Sequence, residues 1–204
     1  MPLFKNLARA AVAVGVLALG GAGTAPALAG DPPMGFFVTS VGLGDGANLG
    51  GLEGADAHCA LLAKAAGSKG RILRAYLSTQ VEGKRGISAR DRIGHGPWYN
   101  AAGELIASDL DDLHISPNIF MRTALDENGN RIKGRGEKPN EHDILTGTKA
   151  DGTAYFPWEE GDKTCSNWTS NDKGSATVGT MIAMAAAIPH GTRRTIPAGA
   201  ARTI

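Results

Sequence analysis

Aromatic side chains are scarce in this 204-residue chain, at 5%, and there are only two cysteines, Cys59 and Cys165. An excess of either charge is also missing, since 21 Lys and Arg stand against 20 Asp and Glu. Without a net field, nothing points the chain toward nucleic acid or an anionic membrane surface. No G-x-S-x-G and no P-loop occurs, so neither a nucleophile elbow nor a phosphate cradle is signalled. The histidines are His58, His95, His114, His142 and His190, and no pair of them has the H-x-x-x-H spacing of a zinc site. Long hydrophobic runs are absent too: Ala10 to Leu19 is the apolar stretch near the start, well below the ~20 residues a membrane span needs.

Glycine, by contrast, is abundant at 29 residues. That suits a fold of loops and tight turns, where glycine supplies positive φ at low steric cost. The first residues have the pattern of a secretory signal peptide. Lys5 and Arg9 form a positive front, the apolar run follows, and Ala27-Leu28-Ala29 is a small-x-small cleavage site. The expected organisation is a signal peptide over residues 1–29, one domain over 30–179 and a divergent tail over 180–204. The expected location is secreted or periplasmic. There, two cysteines suggest one disulfide by default.

Hydrophobic periodicity predicts an α+β domain. Strands are expected at Phe36–Val41, Ile72–Thr79, Pro97–Asn100, Glu104–Ala107 and Cys165–Thr169, with Trp168 inward. Leu73, Ala75 and Leu77 should share a buried face. A helix is expected over Gly54–Ala66, with Ala55, Cys59, Leu62 and Ala63 as its apolar stripe and Gly67 closing it. Ser88 is placed as the cap of a helical turn running to Ile93. Asn128-Gly129 is the strongest hairpin signal, and a strand end at Ile144–Gly147 leads into a turn at Ala150–Thr153.

Few residues carry a chemical signal. Asp126, Asn128, Asn130 and Glu137 fall at positions 1, 3, 5 and 12 of an EF-hand-like loop, but Arg131 stands where that loop needs Gly. An Asn-Gly hairpin explains the same residues. His142-Asp143 would form an imidazole–carboxylate pair, more commonly structural than catalytic. Cys59, on the apolar stripe of a helix, is a buried structural thiol rather than a nucleophile. Of the large aromatics, Trp98, Tyr99, Trp158 and Trp168, the loop residue Trp158 is the best candidate for an exposed contact. Such side chains offer a sugar an apolar face with polar edges.

Several segments together resemble the endostatin-like branch of the C-type-lectin-like fold, and more closely a group of bacterial exported proteins sharing it. They are Gly54-Ala55-Asp56 leading to Cys59, Arg74-Ala75-Tyr76-Leu77-Ser78, and Ala89-Arg90-Asp91-Arg92-Ile93. Pro97-Trp98-Tyr99-Asn100, the Gly147–Gly152 turn after His142, and Thr164-Cys165-Ser166-Asn167-Trp168-Thr169 complete the set. The resemblance implies a mixed, mostly antiparallel sheet with one main helix and long loops. It also implies four nested cysteines, the first paired with the last and the middle two with each other. Cys59 matches the first and Cys165 the second. The other two are missing, so neither thiol has its partner and no disulfide is expected in this chain.

The missing cysteines belong to a tail that departs from the family after Gly179. With the reading frame stepped back one base, Thr180–Ala183 can read His-Asp-Asp-Arg and His190–Thr195 can read Pro-Trp-Asn-Ser-Ala-His. Ala198-Gly199-Ala200 can read Arg-Gly-Cys. These are the absent family elements in order, and they point to a frameshift near Gly179. Lys138-Pro139-Asn140-Glu141 and Asn171-Asp172 resemble the calcium loop of sugar-binding C-type lectins, although Lys138 replaces the expected acid and the endostatin-like branch lacks this site. The implied function is an exported, non-catalytic, monomeric binding domain for a glycan, matrix component or extracellular protein. Trp158, Asn140, Glu141, Asn171 and Asp172 are its candidate contacts, with no cofactor beyond calcium at that loop. The alternatives are a metal-dependent extracytoplasmic hydrolase and a non-functional truncated product.

Overall fold

Two consecutive glycines, Gly50 and Gly51, turn the chain into its main helix, α1 (Gly51–Ala65). Both have left-handed φ, 70° and 72°, a conformation that favours Gly. The helix therefore starts before the expected Gly54. Gly54 has a packing role instead: a Cβ there would lie 2.1 Å from the Leu49 carbonyl oxygen. The far end closes as expected, with Gly67 at φ 78° and Ser68 N donating to Ala63 O at 2.9 Å. Ala55, Cys59, Leu62 and Ala63 are the buried residues of α1. They share a core with Phe37, Leu77, Leu145, Cys165, Trp168 and Val178.

The computed structural model describes residues 32–134, 136–159, 161–180, 195–197 and 202–203. The expected signal peptide, His190 and most of the tail lie outside them. After α1 come a short 3-10 turn (Ala89–Asp91) and β1 (Trp98–Tyr99). Next are β2 (Leu105–Ala107), α2 (Leu110–Ile115), β3 (Asp143–Leu145) and β4 (Ser175–Thr180). β5 (Thr195–Pro197) and β6 (Arg202–Thr203) follow. β1 and β2 form an antiparallel pair, and the other strands form a sheet in the order β5-β4-β3-β6. Its β3–β4 and β4–β5 pairs are antiparallel and β3–β6 is parallel. Small, mostly antiparallel sheets with few helices make this an α+β structure. No helix among the described residues is long and apolar enough to cross a membrane.

Three expected strands are not strands. Among the described residues, Phe36–Val41 makes one isolated bridge, Val38 to Asp126. Its backbone bonds go instead to Tyr99 O and Leu125 O, and Ser40 bonds the Glu127 carboxylate. Ile72–Thr79 buries Ala75 and Leu77 as the alternation predicts, yet it joins no ladder. Side chains satisfy Ala75 there: Asp56 accepts from Ala75 N at 2.9 Å, and Arg92 donates to Ala75 O at 2.6 Å, while Ser78 N and Thr79 N donate to Thr146 O and Ile87 O.

Cys165–Trp168 differs most. All four residues have positive φ, from 46° to 66°, so the segment is a left-handed turn. For L-residues this conformation costs roughly 1–2 kcal/mol each, and surrounding bonds must hold it. Trp168 Nε1 donates to Ser78 O at 2.8 Å, and Ser166 N donates to Asp162 at 2.7 Å. Trp168 is fully buried, as expected.

Other differences are local. Ser88 does not cap the turn that follows it, and that turn ends at Asp91 rather than Ile93. The Ser88 hydroxyl accepts instead from Ala154 N at 3.1 Å. No expected element corresponds to α2, although Asp109 caps it by accepting from Asp112 N at 2.9 Å. The Asn128-Gly129 hairpin is present, bridged by Leu125 and Arg131, with Gly129 at φ 83°. In the tail, expected to lack any strand pattern, β5 and β6 flank the central pair. Main-chain pairing does not require side-chain alternation, because every non-proline residue carries one donor and one acceptor.

Candidate ligand-binding site

Phe156 to Glu159 forms a turn locked from both ends. Phe156 N donates to the Glu159 carboxylate at 2.6 Å, and Glu159 N donates to Phe156 O at 3.0 Å. Lys149 ties the same carboxylate down at 2.8 Å. This turn lifts Trp158 out of the surface, where it is 73% exposed. Its indole lies on the Phe156 ring, with centroids 4.4 Å apart and planes 9° from parallel.

Arg85 places its guanidinium 4.0 Å from the centroid of the same Phe156 ring. Lys149 places its ammonium 4.5 Å from the same centroid. The Phe156 ring thus carries the indole and two cations. A cation on one ring face is favourable by itself, and here it also fixes the ring that supports Trp158. The outer indole face is left open.

Trp158 also borders a groove of about 390 Å³, lined by Gln80, Val81, Glu82 and the Pro157–Glu159 turn, with Gly161. Its volume falls low in the ~300–1,000 Å³ range of small-molecule clefts. Asn167, in the left-handed turn, holds the Gln80 wall. Gln80 N donates to its side-chain oxygen at 2.7 Å, and its amide donates to Gln80 O at 2.9 Å. The Gln80 side chain accepts from Lys163 N at 2.5 Å and donates to Gly161 O at 3.3 Å. Wall and platform are thus positioned by the chain's own contacts.

The other sequence-predicted contacts lie elsewhere. Asn140 and Glu141 lead into β3, whose first residue, Asp143, pairs with Thr180 at the end of β4. Asn171 and Asp172 precede the opposite end of β4, a six-residue strand that spans roughly 20 Å. The β3–β4 register therefore separates the two halves of the calcium-loop pattern. Asn140 bonds His142, and Asn171 bonds Asp45. Asp172 accepts from Ser170 Oγ at 3.2 Å.

The EF-hand-like residues are also engaged locally. Asp126 is buried and accepts from Asn128 N, Asn130 N and the Asn130 amide at 2.7–3.0 Å. Glu137 accepts from Arg131 and from Gly134 N. The Arg131 hydrogen bond is the main reason that its carboxyl is held down to about 2. His142 is buried, with Nε2 3.6 Å from the Asp143 carboxylate. Among the described residues, no three His, Cys, Asp or Glu side chains group as metal ligands would.

Tyr76 and His114 form a separate pair, with the hydroxyl 2.7 Å from Nε2. Nδ1 lies 2.5 Å from Leu110 O, and a carbonyl can only accept, so Nδ1 carries the proton. Nε2 then accepts from Tyr76. Burial is the main cause lowering the His114 pKa, which keeps this arrangement neutral. Cys59 and Cys165 are buried and unpaired.

Trp158 was legible as an exposed aromatic, while its supports were not. Phe156, two residues away, offered a weak local signal. Arg85 and Gln80 reach the site from a distant segment, and no local motif marks them. No protein-family model matches the chain, and no curated protein matches it.

Proposed function

We propose that this chain is an exported, non-catalytic binding domain of lectin-like type, taking a glycan on the outer face of Trp158. The observation that carries this reading is the Phe156–Trp158 stack, with Arg85 over the Phe156 ring, which holds a large exposed aromatic side chain at a polar-edged groove. A sugar ring presents an apolar face and a rim of hydroxyls. An indole face next to carboxylate and amide oxygens suits both. Export rests on the N-terminal pattern of Lys5, Arg9 and Ala27-Leu28-Ala29.

The finer fold assignment, to the endostatin-like branch of the C-type-lectin-like fold, belongs to the same proposal. It is supported by one main helix carrying buried Cys59, by the extended 72–79 segment against it, and by Trp168 and Cys165 in the shared core. Within that assignment, the residues after Gly179 are the product of a shifted reading frame. The nucleotide sequence around Gly179 checks this: codons that lack the family residues when read one base back would refute it.

Trp158→Ala tests the site. Glycan binding should fall by roughly tenfold or more, equivalent to about 1.4 kcal/mol. Stability should change by only about 1 kcal/mol, the scale of one aromatic contact. Glycan binding that survives the substitution unchanged would refute the placement.

A further inference from the structure

We propose that α2 is an acid-released element: the neutral His114 ring pins it to Tyr76 and to the turn at 150–153, and protonation of that ring frees it. The inference is independent of the glycan reading of Trp158.

The other attachments of α2 are slight. None of its six residues is buried. Leu110 and Leu113 are partly buried and pack against Trp98, Ile106 and Ala107, while Ile115 is exposed. Asp111 lies 3.7 Å from Arg90, but its side chain is 84% exposed, and exposed charge pairs contribute little. The bonds of Asp109 and Asp112 go to Ser108 and within the helix itself. His114, by contrast, reaches two distant segments. Tyr76 donates to Nε2 at 2.7 Å from the extended 72–79 segment. The turn at 150–153 closes over the same nitrogen so tightly that a side chain at Gly152 would overlap it.

This arrangement suits the neutral ring alone. Nδ1 already carries a proton for Leu110 O, so a second proton makes both nitrogens donors. Tyr76 must then stop donating to Nε2. The charged groups around the ring give the new charge little in return. Arg90, whose backbone N donates to Gly152 O at 3.1 Å, is itself a cation. The Asp151 carboxylate is taken by Thr153 N at 3.0 Å and Thr153 Oγ1 at 2.7 Å. Asp111 is directed to Arg90. Burial is the main cause holding the His114 pKa below its ordinary 6.5. Arg90 acts in the same direction, against the Leu110 carbonyl, Asp151 and Asp111. A detached helix returns the ring to water and to its ordinary value, so the released form binds the proton more readily. The pinning is therefore complete above about pH 6.5 and is lost as pH falls through the lower value of the folded chain.

The experiment is hydrogen exchange of the full chain at about pH 7.5 and about pH 5, corrected for the intrinsic pH dependence of exchange, with the His114 ring titrated by NMR. Amides of residues 110–115 should exchange severalfold faster at the lower pH, in step with the ring, while those of α1 keep their protection. His114→Gln removes the titrating group. Its 110–115 exchange should be the same at both pH values, whether or not the substitution loosens the helix. Protection of 110–115 that is unchanged across the His114 titration in the native chain would overturn the inference. So would an acid-induced loss that persists in His114→Gln, or one that extends equally to α1.

Discussion

Cys59 shows how one residue's surroundings fix its chemistry. It is 2% exposed on the inner stripe of α1, and burial, followed by nearby Asp56, pushes its thiol up to about 12. Burial and Asp162 raise Cys165 to about 11. A thiol reacts as the thiolate, so both should be inert near neutral pH. The native chain should release no colour with a thiol-exchange reagent at pH 8, whereas the chain in guanidinium should titrate as two free thiols. A non-reducing mass measurement that found a Cys59–Cys165 bridge would contradict this. The sign of the pH dependence follows from the raised values. The folded state holds these protons more tightly than the unfolded chain, so the stabilising contribution is complete below the ordinary thiol value of about 8.5. It is lost as pH rises toward about 11 for Cys165 and about 12 for Cys59.

At the scale of elements, the sequence pattern located side chains better than backbones. The stripe on α1 and the alternation of Ala75 and Leu77 were both legible, because burial follows from hydrophobic period. What alternation cannot show is which group satisfies each main-chain donor and acceptor. Along 72–79 Asp56 and Arg92 bond Ala75, while Ser78 N donates to Thr146 O and Thr79 N to Ile87 O. The left-handed turn was illegible for a similar reason. Cys165-Ser166-Asn167-Trp168 contains no glycine, so only Asn167 hints at positive φ, and Asp162 with the distant Ser78 and Gln80 carbonyls holds it. Asn167 tests that account. Asn167→Ala removes both bonds to the Gln80 backbone and leaves a residue less tolerant of the left-handed region. Urea unfolding should show a loss of about 2–4 kcal/mol, and the proposed glycan binding should weaken with it because the groove wall loosens. An Asn167→Ala chain as stable as the original would show that the turn is held without this side chain.

For the whole molecule, the edges of the sheet decide how the chain behaves in company. β3 and β4 form the centre, and their outer edges are covered by β6 and β5. An uncovered edge exposes unpaired donors and acceptors and invites association with other chains. The proposed endostatin-like assignment would place the closing segment in residues lost to the proposed frameshift. The backbone pairing of 195–197 and 202–203 instead makes the existing tail part of the sheet. The two are compatible, because frame is a property of the gene, whereas main-chain pairing is available to almost any sequence. Truncation after Thr180 separates their consequences. It removes the short pairings to β4 and β3, each hydrogen bond contributing a net ~0.5–1.5 kcal/mol, partly offset by the entropy of ordering the tail. A net loss of about 2 kcal/mol would lower the melting midpoint by roughly 4–8 °C in a chain of this size, and light scattering should show association through the exposed edges. If the truncated chain melts at the same temperature and stays monomeric, β5 and β6 do not stabilise the sheet, as the proposed frameshift would lead one to expect.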